Sequence, residues 1–223
     1  MDYSMFENCS LFAGIPAKDL RTDFEAVPHL MQFYEKGETV FQMMEPASRV
    51  GLVLSGCVEA VKPFPNGSQV NVSMRKAGDL IGQAAAFSQF PFYPCEVAAA
   101  EPAAVMMFKS DDILSLMQKD ARILRNFLSQ IATATYMLQE KLELLSYNGI
   151  AQKAAYYLLL QEKKTGRRDI SIPTSVSNWA EVLNVSRPSL HRELKKLETA
   201  EIISYKPPLI RILDEDALEK VLG

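Results

Sequence analysis

The stretch that decides the fold is "VSRPSLHRELKKLE", residues 185–198 of the chain. Its leucines recur every three to four residues and predict an amphipathic helix with one apolar stripe, made of Leu190, Leu194 and Leu197. Ser186 suits the N-cap of this helix, and Pro188 suits its first turn. The other face is basic and carries Arg187, His191, Arg192, Lys195 and Lys196. Such a face is either ordinary solvated surface or a contact for an anionic partner.

Charge is unevenly distributed along the chain. The 223 residues have a formal net charge of −3, and residues 1–149 hold 12 Lys and Arg against 17 Asp and Glu. Residues 150–223 hold 12 against 10, and residues 163–211 within them hold 10 against 5. Basic charge therefore collects around the quoted helix, where an anionic partner would need it, although a merely solvated domain also carries such a balance.

The composition excludes several classes of protein. Hydrophobic residues make up 48% and charged residues 23% of the chain, as in globular proteins. No apolar run approaches the ~20 residues that span a bilayer, and the first ten residues lack a secretory signal, so we expect a cytoplasmic protein without a membrane partner. The 3 cysteines and 2 histidines have no metal-ligand spacing. With no nucleophile motif and no phosphate-cradling loop, we expect no catalytic site, no metal site and no enzyme activity.

The first half of the chain is typical of short antiparallel strands. Residues 39–74 are rich in Val and contain turn signals at Ser55-Gly56 and Asn66-Gly67. Apolar residues then alternate at Val70, Val72 and Met74, and residues 103–109 predict a further strand. Many short strands without long helices between them predict an antiparallel β-roll, which can enclose a small ligand.

From about Ser110 the pattern becomes helical. Apolar residues recur four and three apart over three heptads, with one polar exception, at Leu124, Leu128, Ile131, Thr135, Leu138, Leu142 and Leu145. This rhythm is typical of the seam between two helices and predicts a homodimer. The alternative is a single helix that lies on its own roll.

The C-terminal part predicts a winged helix-turn-helix. A helix over 150–164 ends at Gly166, a short helix lies within 175–185, and a tight turn at Asn184 leads into the quoted helix. Two short strands around Pro207-Pro208 and a final helix capped by Asp214 follow. The predicted fold class is therefore α+β, with a sensing roll in 1–110, a dimerisation helix and hinge in 111–147, and a DNA-binding domain in 148–223.

The second helix of a helix-turn-helix places its N-terminal residues against base edges in the major groove. Arg187 and Arg192 can each pair with guanine, while the Ser189 hydroxyl and the Lys195 ammonium can reach phosphates. We therefore expect a DNA contact surface made of Ser186, Arg187, Pro188, Ser189, His191, Arg192 and Lys195. The alternative is a C-terminal domain that binds another protein.

The segment "WAEVLNVSRPSLHRELKKLETAEIIS", residues 179–204, resembles the DNA-binding end of the Crp/Fnr family of bacterial transcription regulators. The segments "GETVF", "GLVLSGCVEAV" and "GDLIGQAAAF" resemble the cyclic-nucleotide-binding-type roll of that family, and the likeness runs from about Leu11 to the C-terminus. The resemblance implies that Arg187 and Arg192 read bases and that Ser189 contacts phosphate. Pro188 stands where the cyclic-AMP-type members carry a base-reading acid, so we expect a different operator preference. RNA polymerase would be a partner if the protein is an activator.

The resemblance also places an effector pocket in the roll. Gln83 stands where cyclic-nucleotide sensors of the family have a ribose-binding Glu, and Tyr93 stands where they have the Arg that neutralises the cyclic phosphate. A phosphodiester buried without that Arg would be strongly disfavoured, so we expect that cyclic AMP is not the ligand. The aromatic segment 87–94 suits a less polar small molecule, or simply fills the roll. The expected pocket residues are Ile81, Gly82, Gln83, Ala84, Tyr93, Pro94, Cys95, Ala134 and Thr135.

Other cofactors fit the sequence poorly. The iron-sulfur branch of the family has a cysteine cluster near its N-terminus, whereas this chain has only Cys9 there, and a cubane cluster needs four thiolates. Haem would need an axial ligand such as His29 or Cys57, so we expect neither an iron-sulfur cluster nor haem. A redox response through Cys57 or Cys95 stays open.

Overall fold

The computed structural model of the protein describes residue 6 and residues 9–25, 27–63, 69–173 and 175–223. The chain forms two compact units, residues 1–134 and residues 135–223, and the boundary falls within one long helix. Antiparallel sheets dominate the first unit and helices the second, which confirms the α+β class. No helix of the described residues is long and apolar enough to cross a membrane.

Two four-stranded antiparallel sheets form the roll of the first unit. One has the strand order β1-β8-β3-β6 and the other the order β2-β7-β4-β5. The strands are β1 (Leu30–Tyr34), β2 (Thr39–Phe41), β3 (Arg49–Ser55), β4 (Cys57–Pro63), β5 (Gln69–Lys76), β6 (Leu80–Ile81), β7 (Glu96–Ala99) and β8 (Ala103–Lys109). The predicted roll is therefore confirmed.

Alternation along these strands builds the core of the roll. Val53 and Val105 on one sheet and Val58 and Val97 on the other are all buried in one apolar cluster. The β4–β5 hairpin runs in register from Cys57 opposite Lys76 to Pro63 opposite Gln69, but the predicted turn at Asn66-Gly67 lies outside the described residues.

Gly56, which joins β3 to β4, has a φ of +77°, and a Cβ there would lie 2.2 Å from the carbonyl oxygen of Pro102. Gly37 has a φ of +87°, but a Cβ there would meet nothing within 4 Å. We expect Gly56→Ala to lower the free energy of unfolding by roughly 3 kcal/mol and Gly37→Ala by about 1 kcal/mol, because only Gly56→Ala adds a backbone clash to left-handed strain. Urea unfolding followed by circular dichroism measures both losses. Equal losses would show that the Pro102 carbonyl is no obstacle.

The described residues of the first unit also form a short 3₁₀ helix (Ser10–Phe12) and the helices α1 (Ala17–Glu25), α2 (Gln83–Ala86) and α3 (Ser110–Lys119). The long helix α4 (Ala121–Ser146) follows. Its first turns pack on the roll through Ile123 and Phe127, which are buried in the cluster that also contains Leu11, Phe12 and Phe24. The helix does lie on its own roll, mainly with residues one position before the predicted seam, although the seam residue Ile131 is also half-buried there.

The second unit holds the remaining elements. They are α5 (Ile150–Thr165), β9 (Asp169–Ser171), α6 (Val176–Val182), α7 (Arg187–Thr199), β10 (Ile203–Lys206), β11 (Leu209–Ile212) and α8 (Glu215–Leu222). The three strands form one antiparallel sheet in the order β10-β11-β9. Gly166 ends α5 in the left-handed conformation, Asn184 has a φ of +53°, and Asp214 caps α8 through the Ala217 N–H. The predicted helix-turn-helix with its strand pair is confirmed.

Candidate functional site

Helix α7 is oriented by its two faces. At its start the Ser186 hydroxyl accepts a hydrogen bond from the Ser189 N–H at 3.2 Å, and Pro188 lies in the first turn. The leucine stripe is buried against Trp179 of α6 and Ile203 of β10, with Leu190 and Leu194 fully covered. Because the apolar stripe faces the core of the second unit, the basic face of α7 is held towards solvent.

The basic residues of α7 differ in their partners. Lys195 pairs with Glu198 at 2.6 Å, and Lys196 pairs with Glu193 at 2.7 Å. Arg187 and Arg192 are exposed, and neither guanidinium has an ion pair or hydrogen bond among the described residues. Both guanidinium groups therefore keep all their donors available for an external acceptor such as guanine O6 and N7.

Strand β10 contacts α7; it is the first strand of the β10–β11 hairpin, which forms the wing. The Nδ1 atom of His191 lies 3.5 Å from the Tyr205 hydroxyl, and the Lys195 Nζ atom lies 5.5 Å from the centre of the Tyr205 ring. Glu198 accepts hydrogen bonds from Lys195 and from the Tyr205 N–H, and the bond from Lys195 is the first cause of its lowered pKa. His191 is exposed and could still meet DNA, but Tyr205 restricts its ring.

The serines of the predicted contact surface have local roles in the free protein. The hydroxyl groups of Ser186 and Ser189 are 2.8 Å apart, and the Ser186 hydroxyl also caps the helix. Because the Ser186 hydroxyl donates to the Ser189 hydroxyl, Ser189 keeps its own proton for donation to a phosphate. Ser186 therefore acts first on the helix, and its contact with DNA stays a prediction.

Much of the remaining basic charge in the second unit is neutralised nearby. Arg168 pairs with Glu162 and Glu215, and Arg211 pairs with Asp169 at 2.6 Å. Lys206, at the tip of the wing, is exposed and forms no ion pair with any residue that the structure describes. The sequence reasoning missed Lys206, although the Pro207-Pro208 turn beside it marked the tip.

The roll contains a pocket of about 160 Å³ that opens beside α2. Seven of the nine expected residues line it: Ile81, Gly82, Gln83, Ala84, Tyr93, Pro94 and Cys95. Within the first unit, Ala134 is on α4 and is not among the lining residues. Thr135 belongs to the second unit, so the part of both residues in an effector site stays a prediction.

Tyr93, at the position of the family's phosphate-binding Arg, is fixed through both its ring and its hydroxyl group. Its ring stacks on Phe41 with centroids 4.2 Å apart, and its hydroxyl donates to the Arg49 carbonyl at 2.8 Å and accepts from the Arg49 N–H at 3.3 Å. Burial raises the pKa of Tyr93, so the phenol stays neutral. The Tyr93 hydroxyl is committed to the backbone and does not replace a guanidinium.

Six pocket residues were missed from the sequence: Ala60, Ser73, Arg75, Leu80, Ala85 and Val97. The two polar ones, Ser73 and Arg75, were missed because the apolar positions of β5 suggested that the apolar face is the buried one. In the structure Val72 and Met74 are 57% and 47% exposed, whereas Ser73 and Arg75 line the pocket. The side chain of Val70 lies outside the described residues. Alternation along the strand predicts that Val72 and Met74 share one face and that Ser73 and Arg75 share the other. It does not say which of the two faces lines the pocket.

The cysteines do not support an intrachain disulfide. The Cys57 carbonyl meets the Ala100 N–H at one end of the β4–β7 ladder, whereas Cys95 precedes Glu96, which is opposite Val61. At ~3.3 Å per residue Cys57 and Cys95 are roughly 16 Å apart, and a disulfide needs Cα atoms within about 7 Å. Burial raises the pKa of Cys95 despite the nearby Lys62, which leaves the thiol protonated. Within one chain Cys57 and Cys95 are therefore too far apart for a disulfide, and a redox response through either cysteine stays a prediction.

The predicted seam of α4 is mostly uncovered in one chain. Leu124, Leu128, Leu138, Leu142 and Leu145 are all exposed, and so is Thr135. Ile131 differs, since it is half-buried against the core of the roll. Towards the end of α4, Leu144 is buried in the core of the second unit, one position before Leu145. One helix thus carries two adjacent apolar stripes, one buried and one exposed.

Comparison with known proteins gives two domain matches. Residues 31–120 match the cyclic nucleotide-binding domain, and residues 152–221 match the Crp-like helix-turn-helix domain. The chain is 24% identical over 202 residues to the probable transcriptional regulator flp of Lacticaseibacillus casei. The matched region covers 90% of each chain.

The fold is also found in solved structures of other proteins. The catabolite activator protein of Thermus thermophilus has a TM-score of 0.56 and 19% identity, over 96% of this chain and 98% of that one. A transcriptional regulator of Thermotoga maritima has a TM-score of 0.51 and 25% identity, over 57% of this chain and 98% of that one. The matched domains occur in the same order as the roll and the helix-turn-helix described above.

Proposed function

Since this chain belongs to the Crp/Fnr family of DNA-binding transcription regulators, we propose that it acts as a homodimer whose two α7 helices read a near-palindromic operator. The proposal includes a small-molecule effector in the roll and RNA polymerase as a partner at activated promoters. It keeps the division into a sensing part (1–110), a dimerisation helix (111–147) and a DNA-reading part (148–223).

One observation carries the DNA-reading proposal. Arg187 and Arg192 project from the exposed face of α7 without an ion pair among the described residues, while Lys195 and Lys196 on the same face are paired. A guanidinium that is not held by a carboxylate loses no internal contact when it pairs with a guanine. The two arginines therefore provide sequence readout, and the paired lysines and Lys206 provide general attraction to phosphate.

The exposed leucine stripe of α4 supports the dimer. Isolated apolar residues are common on protein surfaces. An apolar stripe in heptad rhythm over three heptads, however, is shielded from water only when another apolar surface packs against it. A second copy of α4 supplies a matching stripe by symmetry. Two α7 helices would then address half-sites about one helical turn, roughly 34 Å, apart. A ligand that shifts the α4 pair would change this spacing and hence the affinity for the operator.

The experiment is selection of duplexes from a random library with the purified protein, followed by binding measurements at several salt concentrations. We expect a two-fold-symmetric motif that contains guanines in both half-sites, and a linear fall of log affinity with log salt. Unselected duplexes of equal length serve as the control and should bind at least about a thousandfold more weakly. Failure to enrich any motif would instead favour a C-terminal domain that binds protein.

A further inference from the structure

Strand β5 turns two polar side chains towards the pocket of the roll, the half-buried Ser73 and the exposed Arg75. In the β4–β5 ladder Ser73 is opposite Ala60 and Arg75 is opposite Val58, and both of these β4 residues are buried. A sheet with one buried face normally places apolar residues on that face. Val72 and Met74, the apolar side chains of β5 that the structure describes, are instead exposed. Because this pattern is the reverse of the usual one, it indicates that the polar side chains of β5 have a role at the pocket.

The pocket has polar side chains without partners. Arg75 is the one cation among its described lining residues, and it forms no ion pair with any carboxylate in the described ranges. In the same part of the chain the side chains of Ser73 and Gln83 form no hydrogen bond either. The Tyr93 hydroxyl, by contrast, is occupied by the Arg49 backbone. An entering anion would meet one free guanidinium and two neutral hydrogen-bonding groups.

The rest of the pocket is apolar and small. Leu80, Ile81, Ala85 and Val97 form buried walls, and Pro94 lies near the opening. A volume of about 160 Å³ is close to that of an engineered apolar cavity of ~150 Å³ that binds benzene. It lies below the roughly 300–1,000 Å³ of sites for drug-sized ligands. A single six-membered ring matches this volume, whereas a two-ring base with its ribose and phosphate would extend out of the pocket into solvent.

We propose that the roll binds a single-ring organic carboxylate, with its ring between the apolar walls and its carboxylate paired with Arg75. The charges match, because a carboxylate carries one negative charge, whereas a phosphate monoester carries about −1.5 to −2 at pH 7 and would leave charge uncompensated. The planar guanidinium also meets a carboxylate through two parallel hydrogen bonds. The role of this ligand as an effector rests on the proposed function, in which the roll is the sensor of a DNA-binding dimer.

The test uses four probes: benzoate, phenylacetate, salicylate and nicotinate. Ligand-observed NMR and calorimetry on the full-length protein should give at least one dissociation constant at or below about 1 mM. The neutral analogue of that probe, such as benzamide for benzoate, should bind at least about tenfold more weakly, because it cannot form the charged pair. If none of the four acids binds below about 1 mM, or if phenyl phosphate or cyclic AMP binds more tightly than all of them, the proposal is wrong.

Two neighbouring variants locate the anion. Arg75→Gln removes the cation in the pocket, and Lys76→Gln removes the same charge from the next residue of β5, which does not line the pocket. We expect Arg75→Gln to weaken binding of the acid at least about tenfold and Lys76→Gln to change it less than about twofold. Equal effects of both variants would contradict a specific role of Arg75.

Operator binding separates this inference from the proposed function. If the acid binds through Arg75 but leaves operator affinity unchanged, the ligand site stands and control by the roll fails. If the protein selects no operator while the acid still binds through Arg75, the DNA-reading proposal fails alone.

Discussion

Leu138→Glu is expected to make the protein monomeric and to weaken its binding to a two-half-site operator by at least about a hundredfold. In the proposed dimer Leu138 packs near the middle of the α4 seam, where the partner's copy of the same residue is its neighbour. The substitution would bury two unpaired carboxylates close together, at a cost of several kcal/mol. A monomer then holds one half-site with one α7 helix and loses the gain from binding both half-sites together.

Met137→Glu is the matched control for this prediction. Met137 is 62% exposed and Leu138 is 59% exposed in one chain, and both are on the same helix, but Met137 is outside the heptad stripe. We expect Met137→Glu to stay dimeric and to bind the operator within about threefold of the original chain. Sedimentation equilibrium gives the mass of each variant. A dimeric Leu138→Glu protein, or a monomeric protein without any substitution, would refute the seam.

Arg187→Ala and Arg192→Ala are expected to weaken operator binding and to relax its sequence preference. Each guanidinium that pairs with a guanine contributes about 1–3 kcal/mol of discrimination, and a dimer loses this twice on a symmetric operator. The combined loss is therefore about 30-fold to 10⁴-fold for either variant. Because neither arginine has an ion pair among the described residues, its removal leaves no unpaired carboxylate within the part of the chain that the structure describes.

Lys196→Ala provides the comparison for the arginine variants. Lys196 is on the same helix and carries the same charge, but it is held by Glu193. We expect a smaller loss, equal on selected and unselected duplexes, together with a shallower dependence on salt. Repeating the library selection with each variant measures the preference directly. An arginine variant whose loss is equal on all duplexes would show that the arginine contacts phosphate and does not read a base.

Local patterns were sufficient to predict most of the second unit. Ser186, Pro188 and the leucine stripe are within fourteen consecutive residues, and the structure confirms the cap, the first turn and the buried face of α7.

The short strands β1, β7 and β9 were not predicted from the sequence. They have only three to five residues each, and Leu30–Tyr34 has no clean alternation of burial. So short a strand is defined by the neighbours with which it pairs more than by its own sequence.

The long helix shows why a periodic pattern alone was ambiguous. A rhythm of four and three marks one face of a helix, but it does not say whether the roll or a second chain covers that face. In the structure, neighbouring residues of the helix have different surroundings. Ile123 and Phe127 pack on the roll, whereas Leu124 and Leu128 remain exposed. The pocket was similarly predicted from the segment 81–95 together with Ala134 and Thr135 of α4, but Ser73 and Arg75 of β5 line it as well.

By itself, then, the sequence determined the elements whose signals are contiguous: the capped basic helix, its buried leucines, the turn before it and the heptad stripe. The tertiary structure decided which charges remain available and which face of β5 lines the pocket. The physical reason is that both depend on partners distant along the chain. Asp169 neutralises Arg211, Glu215 neutralises Arg168, and the register of β4 turns Arg75 towards the pocket. Periodicity defines the faces of an element, but only packing determines what each face meets.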